Sequence, residues 1–117
     1  MWIKALRLSD FRNYEHLELE LTRGINFFVG PNGSGKTSIL EAVSYLAVAR
    51  SLRGASDGEV IAWGSQESGV SGDIVTEGSA RTTTLRFGRG GSKDVVVDGE
   101  KLARLSDLVG LIRVAWF

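Results

Sequence analysis

The chain has 117 residues, of which 43% are hydrophobic and 24% charged, and its formal net charge is zero. These values are typical of one soluble globular domain or of a piece of a larger one, and they give no global basic field that would point to a nucleic-acid partner. Because the chain has no cysteine, disulfides and thiolate metal sites are excluded. Early charges and the lack of an apolar run of about 18 residues disfavour a signal peptide and a membrane span. We therefore expect a cytoplasmic protein that does not contact the membrane.

The first part of the chain predicts three strands. Residues 2–8 read as the first strand, and residues 9–13 as a polar turn. Residues 16–21 alternate strictly between polar and apolar side chains, which indicates a strand buried on one face. His16 falls on the polar face of that strand and is given no catalytic role. Residues 25–29 form a nearly continuous apolar run that predicts a central strand.

The segment after this central strand matches the complete phosphate-binding pattern G-x-x-x-x-G-K-[ST]. Its glycines let successive backbone N–H groups converge on a phosphate chain at the start of a helix, where the helix dipole favours negative charge. Lys36 supplies a positive charge for the β- and γ-phosphates, and the hydroxyl of Thr37 suits Mg²⁺. The predicted nucleotide-binding residues of this loop are Gly30, Pro31, Asn32, Gly33, Ser34, Gly35, Lys36 and Thr37.

The pattern also requires a helix directly after the loop. Residues 38–49 predict one, with Ile39, Val43 and Leu46 at helical spacing on one face. The other face carries Glu41 and Ser44. Strand, loop and helix thus follow one another in the order that a phosphate site needs.

The second half of the chain predicts a short helix and then an antiparallel meander. Residues 56–59 fit a capping box, with Ser56 as N-cap, so a helix is expected over residues 60–63, stopped by Gly64. Short β-prone segments punctuated by glycine follow, at residues 70–75, 82–87 and 93–97.

The last residues predict a helix over 102–109 and an apolar strand over 111–117. A buried strand needs partners for its backbone on both sides. We therefore interpret the chain as an N-terminal fragment of a longer protein.

Further motifs bear on two questions: whether the nucleotide is GTP or ATP, and whether the chain carries a residue for hydrolysis. No [NT]-K-x-D is present for guanine, and the D-x-x-G at residues 107–110 follows a helical pattern instead of a strand. Asp98 closes an apolar run, but Asp98-Gly99 is a stronger signal for a hairpin turn than for a catalytic acid. Residues 88–92 similarly predict a hairpin loop. The sequence therefore favours ATP and offers no catalytic residue.

Several segments resemble a known group of proteins. Residues 8–14, Leu-Ser-Asp-Phe-Arg-Asn-Tyr, followed by residues 30–37 and 38–42, resemble the N-terminal ATPase lobe of the ABC-type DNA-repair ATPases. That group includes the structural-maintenance-of-chromosomes (SMC) proteins and the RecF family. The segments that resemble the RecF family in particular are residues 49–53, 59–64, 97–99 and 105–114.

The resemblance implies an α/β fold: an ABC-type P-loop ATPase lobe whose mixed sheet combines a central strand-loop-helix with an antiparallel β meander. Residues 1–117 would form the N-terminal part of that domain. It also implies that Arg12 reaches the nucleotide phosphates from the side, which adds Arg12 to the predicted ATP-binding residues.

The function implied by the resemblance is DNA recombination, repair and replication, including the SOS response. Its implied cofactors are ATP and Mg²⁺. The implied partners are DNA at single-stranded gaps and duplex junctions, RecO, RecR and a second copy of the chain in an ATP-dependent homodimer. The family's Walker B strand and signature motif have no match within the 117 residues, so we expect the full-length protein to be an ATPase and the chain alone to be inactive.

The sequence leaves open both the kind of protein and the role of two arginines. The protein could be another SMC-like or overcoming-lysogenization-type ATPase, or a nucleotide-binding module that does not hydrolyse. Arg50 and Arg53, after the main helix, could contact DNA phosphates or simply complement the helix C-terminus.

Overall fold

The computed structural model describes residues 2–21, 35–51, 53–76 and 79–102. In this part of the chain six strands form one sheet in the order β2-β1-β3-β4-β5-β6, and every neighbouring pair is antiparallel. The central strand predicted over residues 25–29 lies outside the described residues. The elements are β1 (Trp2–Phe11), β2 (Tyr14–Glu20), α1 (Gly35–Val48), α2 (Asp57–Val60), β3 (Glu67–Thr76), β4 (Ser79–Gly88), β5 (Lys93–Val97) and β6 (Glu100–Lys101).

Strands β1 and β2 form a tight hairpin. The predicted polar turn over residues 9–13 is too long, because β1 continues to Phe11, which pairs with Tyr14 across a turn of Arg12 and Asn13. The strict alternation predicted for β2 is confirmed, since its glutamates are exposed while Leu17 and Leu19 pack against the core.

The end of β1 departs from regular strand geometry. Leu6 and Leu8 point into the core with the spacing of two expected for a strand, whereas Phe11, also fully buried, comes three residues after Leu8. Asp10 has a left-handed backbone with φ of 49°. This single residue breaks the alternation and brings Phe11 back to the core side.

Helix α1 covers the inner face of the sheet. It begins at Gly35 and ends at Val48, which confirms the predicted helix and extends it towards the loop. Tyr45 is fully buried and stacks on Phe87 of β4 with ring centroids 4.6 Å apart, while Phe11 meets its edge at 5.8 Å. The three rings join the end of β1, the helix and the meander.

The polar face of α1 is buried too. Glu41 and Ser44, opposite the predicted apolar stripe, are almost completely shielded because the chain after the helix folds back over them. The Ser51 hydroxyl contacts Glu41, and the Ser44 hydroxyl lies 2.9 Å from the carbonyl oxygen of Arg50.

The short helix forms earlier than predicted. Ser56 is its N-cap, and the side chain accepts a hydrogen bond from the Glu59 N–H, as the capping box predicts. The helix predicted over residues 60–63 is wrong, however, because α2 ends at Val60. Ile61 pairs with Phe11 instead, so strand-like pairing with β1 prevails over helix extension.

The meander is as predicted. Strands β3, β4 and β5 contain the three β-prone segments, and residues 88–92 form the hairpin loop between β4 and β5. Asp98 and Gly99 make the turn to β6 with φ of 50° and 84°, the left-handed pair of a tight hairpin, so Asp98 is a turn residue. The helix and strand predicted beyond Leu102 lie outside the described residues.

The close approach of α1 to the sheet generates a prediction at Gly72 in β3. A Cβ at this position would come within 2.6 Å of Leu46 Cδ1 of the helix, whereas a Cβ at Gly69 of the same strand meets only ordinary contacts at 3.8 Å. We expect Gly72→Val to lower the free energy of unfolding of the full-length protein by about 1–3 kcal/mol through overpacking. Gly69→Val is the control, and equal urea midpoints for the two variants would contradict the prediction.

Candidate functional site

The helix that follows the phosphate-binding pattern starts within the pattern itself. Gly35, Lys36 and Thr37 form the first turn of α1. Residues 30–34 of the predicted loop lie outside the described residues. A helix N-terminus leaves its first backbone N–H groups without partners in the helix and carries the positive end of the dipole, so this turn can bind an anion.

The backbone of Arg12 is held from two sides. Its N–H donates to the Val60 carbonyl at 2.8 Å, and the Ala62 N–H donates to the Asp10 carbonyl at 2.8 Å. Arg12 also has a left-handed backbone, with φ of 53°. A left-handed arginine is strained by roughly 1–2 kcal/mol and persists only where surrounding contacts enforce it.

The side chain of Arg12 contacts helix α1. Its Nε donates to Glu41 Oε1 at 2.8 Å and its Nη2 to Glu41 Oε2 at 3.0 Å, a bidentate ion pair. The Nη1 atom donates to the Glu59 carbonyl at 3.2 Å. The resemblance to the family predicted Arg12 as a nucleotide ligand, and the structure adds a buried carboxylate as its partner.

Glu41 is the centre of this arrangement. Its side chain is 0% exposed, and Oε2 also accepts a 2.6 Å hydrogen bond from the Ser51 hydroxyl. Burial alone would raise the pKa of the Glu41 carboxyl, but hydrogen bonds from Arg12 and Ser51 outweigh burial and lower the pKa below its ordinary value. The same ion pair raises the pKa of Arg12. The pair is therefore fully ionised near neutral pH.

Sequence reasoning missed Glu41 and Ser51. A signal was available, because Glu41 is the only acidic residue in a helix that is otherwise apolar or small after its first turn. Ser51 gives no such signal, since its role depends on the chain folding back after α1. It also lines a cavity of about 400 Å³ with Arg50, Gly54 and Ala55.

The helix geometry relates Glu41 to the predicted ligands. Positions 37 and 41 are four residues apart, so they share one face of α1 about 6 Å apart along its axis. Arg12 is thus held on the face of α1 that positions 37 and 41 share. Its contact with nucleotide stays a prediction, as do the contacts of Gly35, Lys36 and Thr37.

Other kinds of site find no support in the described part of the chain. No group of three or more His, Cys, Asp or Glu residues there could hold a metal ion. Within the same ranges, no helix is long and apolar enough to cross a bilayer.

Comparison with known proteins identifies the family. The family model described as an AAA domain matches residues 5–107. The chain belongs to this family.

Among curated relatives, the chain is 40% identical to the DNA replication and repair protein RecF of Acidothermus cellulolyticus and 41% identical to that of Clostridium novyi. Both alignments cover all of this chain and 32% of the relative, so the chain spans about a third of the length of these relatives. The predicted resemblance to the RecF family is confirmed. That the chain is the N-terminal part of such a protein stays a prediction.

Solved structures agree with the predicted fold. The recombination mediator protein RecF bound to ATP, of the RecFOR pathway, superposes with a TM-score of 0.89 at 26% identity, over 96% of this chain and 31% of that one. An SMC ATPase superposes with a TM-score of 0.79 at 21% identity, over 93% of this chain and 76% of that one, which shows the fold alone. The α/β ABC-type ATPase fold is therefore confirmed.

The buried carboxylate generates a prediction about pH. A folded-state pKa below the ordinary value of 4.5 means that ionised Glu41 stabilises the fold above that value, and that this stabilisation is lost as the pH falls through the lower, folded-state pKa. We expect Glu41→Gln to cost about 2 kcal/mol of unfolding free energy at neutral pH. The difference from wild type should shrink as the pH falls below 4.5 and through the lower folded-state pKa.

Urea denaturation of the full-length protein at several pH values measures this difference. The control is Glu15→Gln, which alters an exposed carboxylate of β2 and should stay within about 0.5 kcal/mol of wild type. A Glu41→Gln deficit that is constant across the acid range would show that the charge of Glu41 is not what stabilises the fold.

Proposed function

We propose that this chain is the ATP-binding N-terminal part of a RecF-type protein of DNA recombination, repair and replication. The observation that carries the proposal is the start of α1 at Gly35, inside the G-x-x-x-x-G-K-[ST] pattern, where a phosphate-binding helix must begin. The similar RecF structure that contains ATP supports the nucleotide.

In this proposal each ligand has a separate physical role. The N–H groups of the loop and first turn bind phosphate oxygens, Lys36 neutralises the β- and γ-phosphates, and Thr37 holds Mg²⁺. Arg12 donates from the side of the nucleotide. The donors fit an anionic ligand, because α1 presents its N-terminus and Arg12 is fully ionised beside the same helix.

The wider function rests on the similar proteins. We propose that the full-length protein is a cytoplasmic ATPase that binds DNA at gaps and junctions in its ATP state, and that it acts with RecO and RecR. RecF of the RecFOR pathway supports these partners and a role in recombination. The role in the SOS response is proposed from the resemblance to the family alone. We also propose an ATP-dependent homodimer, as the resemblance to the family implies; the solved SMC ATPase of similar fold is described as undergoing ATP-driven dimerization. That SMC likeness concerns the fold and does not favour an SMC function over a RecF function.

Lys36 provides the first test. We expect Lys36→Ala in the full-length protein to weaken ATP binding by about tenfold or more, because it removes the positive charge that the proposal assigns to the phosphates. Isothermal titration with ATP measures the affinity, and Lys4→Ala, which removes an exposed lysine from β1, serves as the control. Equal ATP affinity for Lys36→Ala and wild type would refute the assignment of the phosphate loop.

Thr37 tests the metal role separately. Thr37→Val keeps the side-chain shape but removes the hydroxyl, so we expect hydrolysis to require about tenfold more Mg²⁺ while ATP affinity without metal changes little. Thr37→Ser retains the hydroxyl and should behave like wild type. Steady-state hydrolysis across a Mg²⁺ titration measures the effect, and identical curves for the Val and Ser variants would exclude Thr37 as a metal ligand.

A further inference from the structure

We infer that Glu41 is a positioning residue for nucleotide binding: it fixes the Arg12 guanidinium at the side of the ATP site. The inference rests on the proposed function, in which Arg12 contacts phosphate. Glu41 itself does not touch the nucleotide in this assignment. It acts through Arg12.

The geometry of the pair supports an orienting role. Glu41 accepts from both Nε and Nη2, so the carboxylate and the guanidinium lie fork to fork, and the direction of the guanidinium is set as well as its distance. With the Glu59 carbonyl on Nη1, the described contacts use three of the five N–H bonds of Arg12. The contacts among the described residues leave two N–H bonds of Arg12, and the proposal assigns these to an anionic ligand.

The carboxylate is itself held in place. Glu41 is completely buried in α1, and Ser51 donates to Oε2. The Ser51 oxygen in turn accepts a hydrogen bond from the Arg53 N–H at 3.1 Å. A long arginine side chain on a two-residue turn normally loses rotamer freedom when it binds a ligand. Here that freedom is already removed before the ligand arrives.

The position of Glu41 links the two proposed phosphate contacts. Lys36 and Thr37 lie in the first turn of α1, and Glu41 lies one turn further along the same rigid helix. Arg12 comes from a distant part of the chain. Because Glu41 belongs to the same helix as Lys36 and Thr37, its ion pair with Arg12 fixes the position of Arg12 relative to that helix. A preorganised site requires such fixed positions of its binding residues.

A purely structural ion pair is the competing explanation, and Tyr45 offers a matched control for it. Tyr45 is also fully buried in α1, one turn after Glu41, and its hydroxyl donates to Asp57 Oδ1 at 2.8 Å. Tyr45→Phe therefore removes a buried side-chain hydrogen bond from the same helix without touching Arg12. A general loss of stability should affect both variants, whereas a positioning effect should appear only in Glu41→Gln.

The experiment measures ATP affinity by isothermal titration on full-length protein, with the folded fraction of each variant checked by circular dichroism. We expect Arg12→Ala to raise the Kd about tenfold and Glu41→Gln to raise it about three- to tenfold, while Tyr45→Phe and His16→Ala stay within about twofold of wild type. In the double variant that combines Arg12→Ala with Glu41→Gln, the Kd for ATP should be at most about twice that of Arg12→Ala alone. This is expected because Glu41 acts only through Arg12.

Different failures have different meanings. If Lys36→Ala binds ATP like wild type, the proposed function is wrong. If Lys36→Ala weakens ATP binding but Arg12→Ala does not, Arg12 is not a nucleotide ligand. The positioning role of Glu41 is then refuted as well. If Arg12→Ala weakens ATP binding while Glu41→Gln has the Kd of wild type or of Tyr45→Phe, only the positioning role of Glu41 is refuted. Additive effects of the two substitutions on the Kd of the double variant would also refute that role.

Ser51→Ala decides the question if Glu41→Gln does not fold. It removes one donor from Glu41 Oε2 and leaves the charges of the pair intact. We expect a rise in Kd of about two- to threefold in the wild-type background and none in the Arg12→Ala background. An unchanged Kd in both backgrounds overturns the proposal.

Discussion

The ion pair of Arg12 and Glu41 is the interaction on which the described part of the site depends. A carboxylate without solvent exposure is unfavourable unless donors replace its water, and Glu41 has three such donors from Arg12 and Ser51. These donors come from the turn after β1 and from the segment after α1. A single buried charge therefore connects α1 both to the turn after β1, which is 29 residues away, and to the segment that follows the helix.

The surrounding fold makes this pairing possible. The left-handed residue Asp10 returns Phe11 to the core, and the next residue, Arg12, is directed towards the helix. Residues 60–62 pair with the end of β1 and fix its course. Arg89 in the hairpin loop donates to the carbonyl oxygens of Gly58 and Ser65 on either side of that pairing segment, so the meander supports it. The polar site is thus built on contacts between elements that are themselves held by the sheet.

Much of the fold could be predicted from the sequence, because its signals are local. The alternation in β2, the helical spacing in α1, the N-cap at Ser56 and the Asp98-Gly99 turn each depend on a few neighbouring residues. The errors arose where a distant partner decided the outcome: Ile61 joins β1 instead of extending α2, and β1 continues through the expected turn. The phosphate-binding pattern was readable for the same local reason, whereas Glu41 required knowledge that Arg12 and Ser51 converge on it.

The sheet order also has a consequence for the sequence of events in folding. Trp2 of β1 pairs with Val75 of β3, so the two strands that precede and follow α1 in the sequence can complete their pairing only after residue 75 has been synthesised. The hairpins formed by the consecutive strands β3, β4, β5 and β6, by contrast, close through short connections. The entropic cost of closing these loops is therefore small. The strands against which α1 packs, β3 and β4, therefore belong to the later half of the chain. We expect the proposed nucleotide site to form only after these strands have been synthesised.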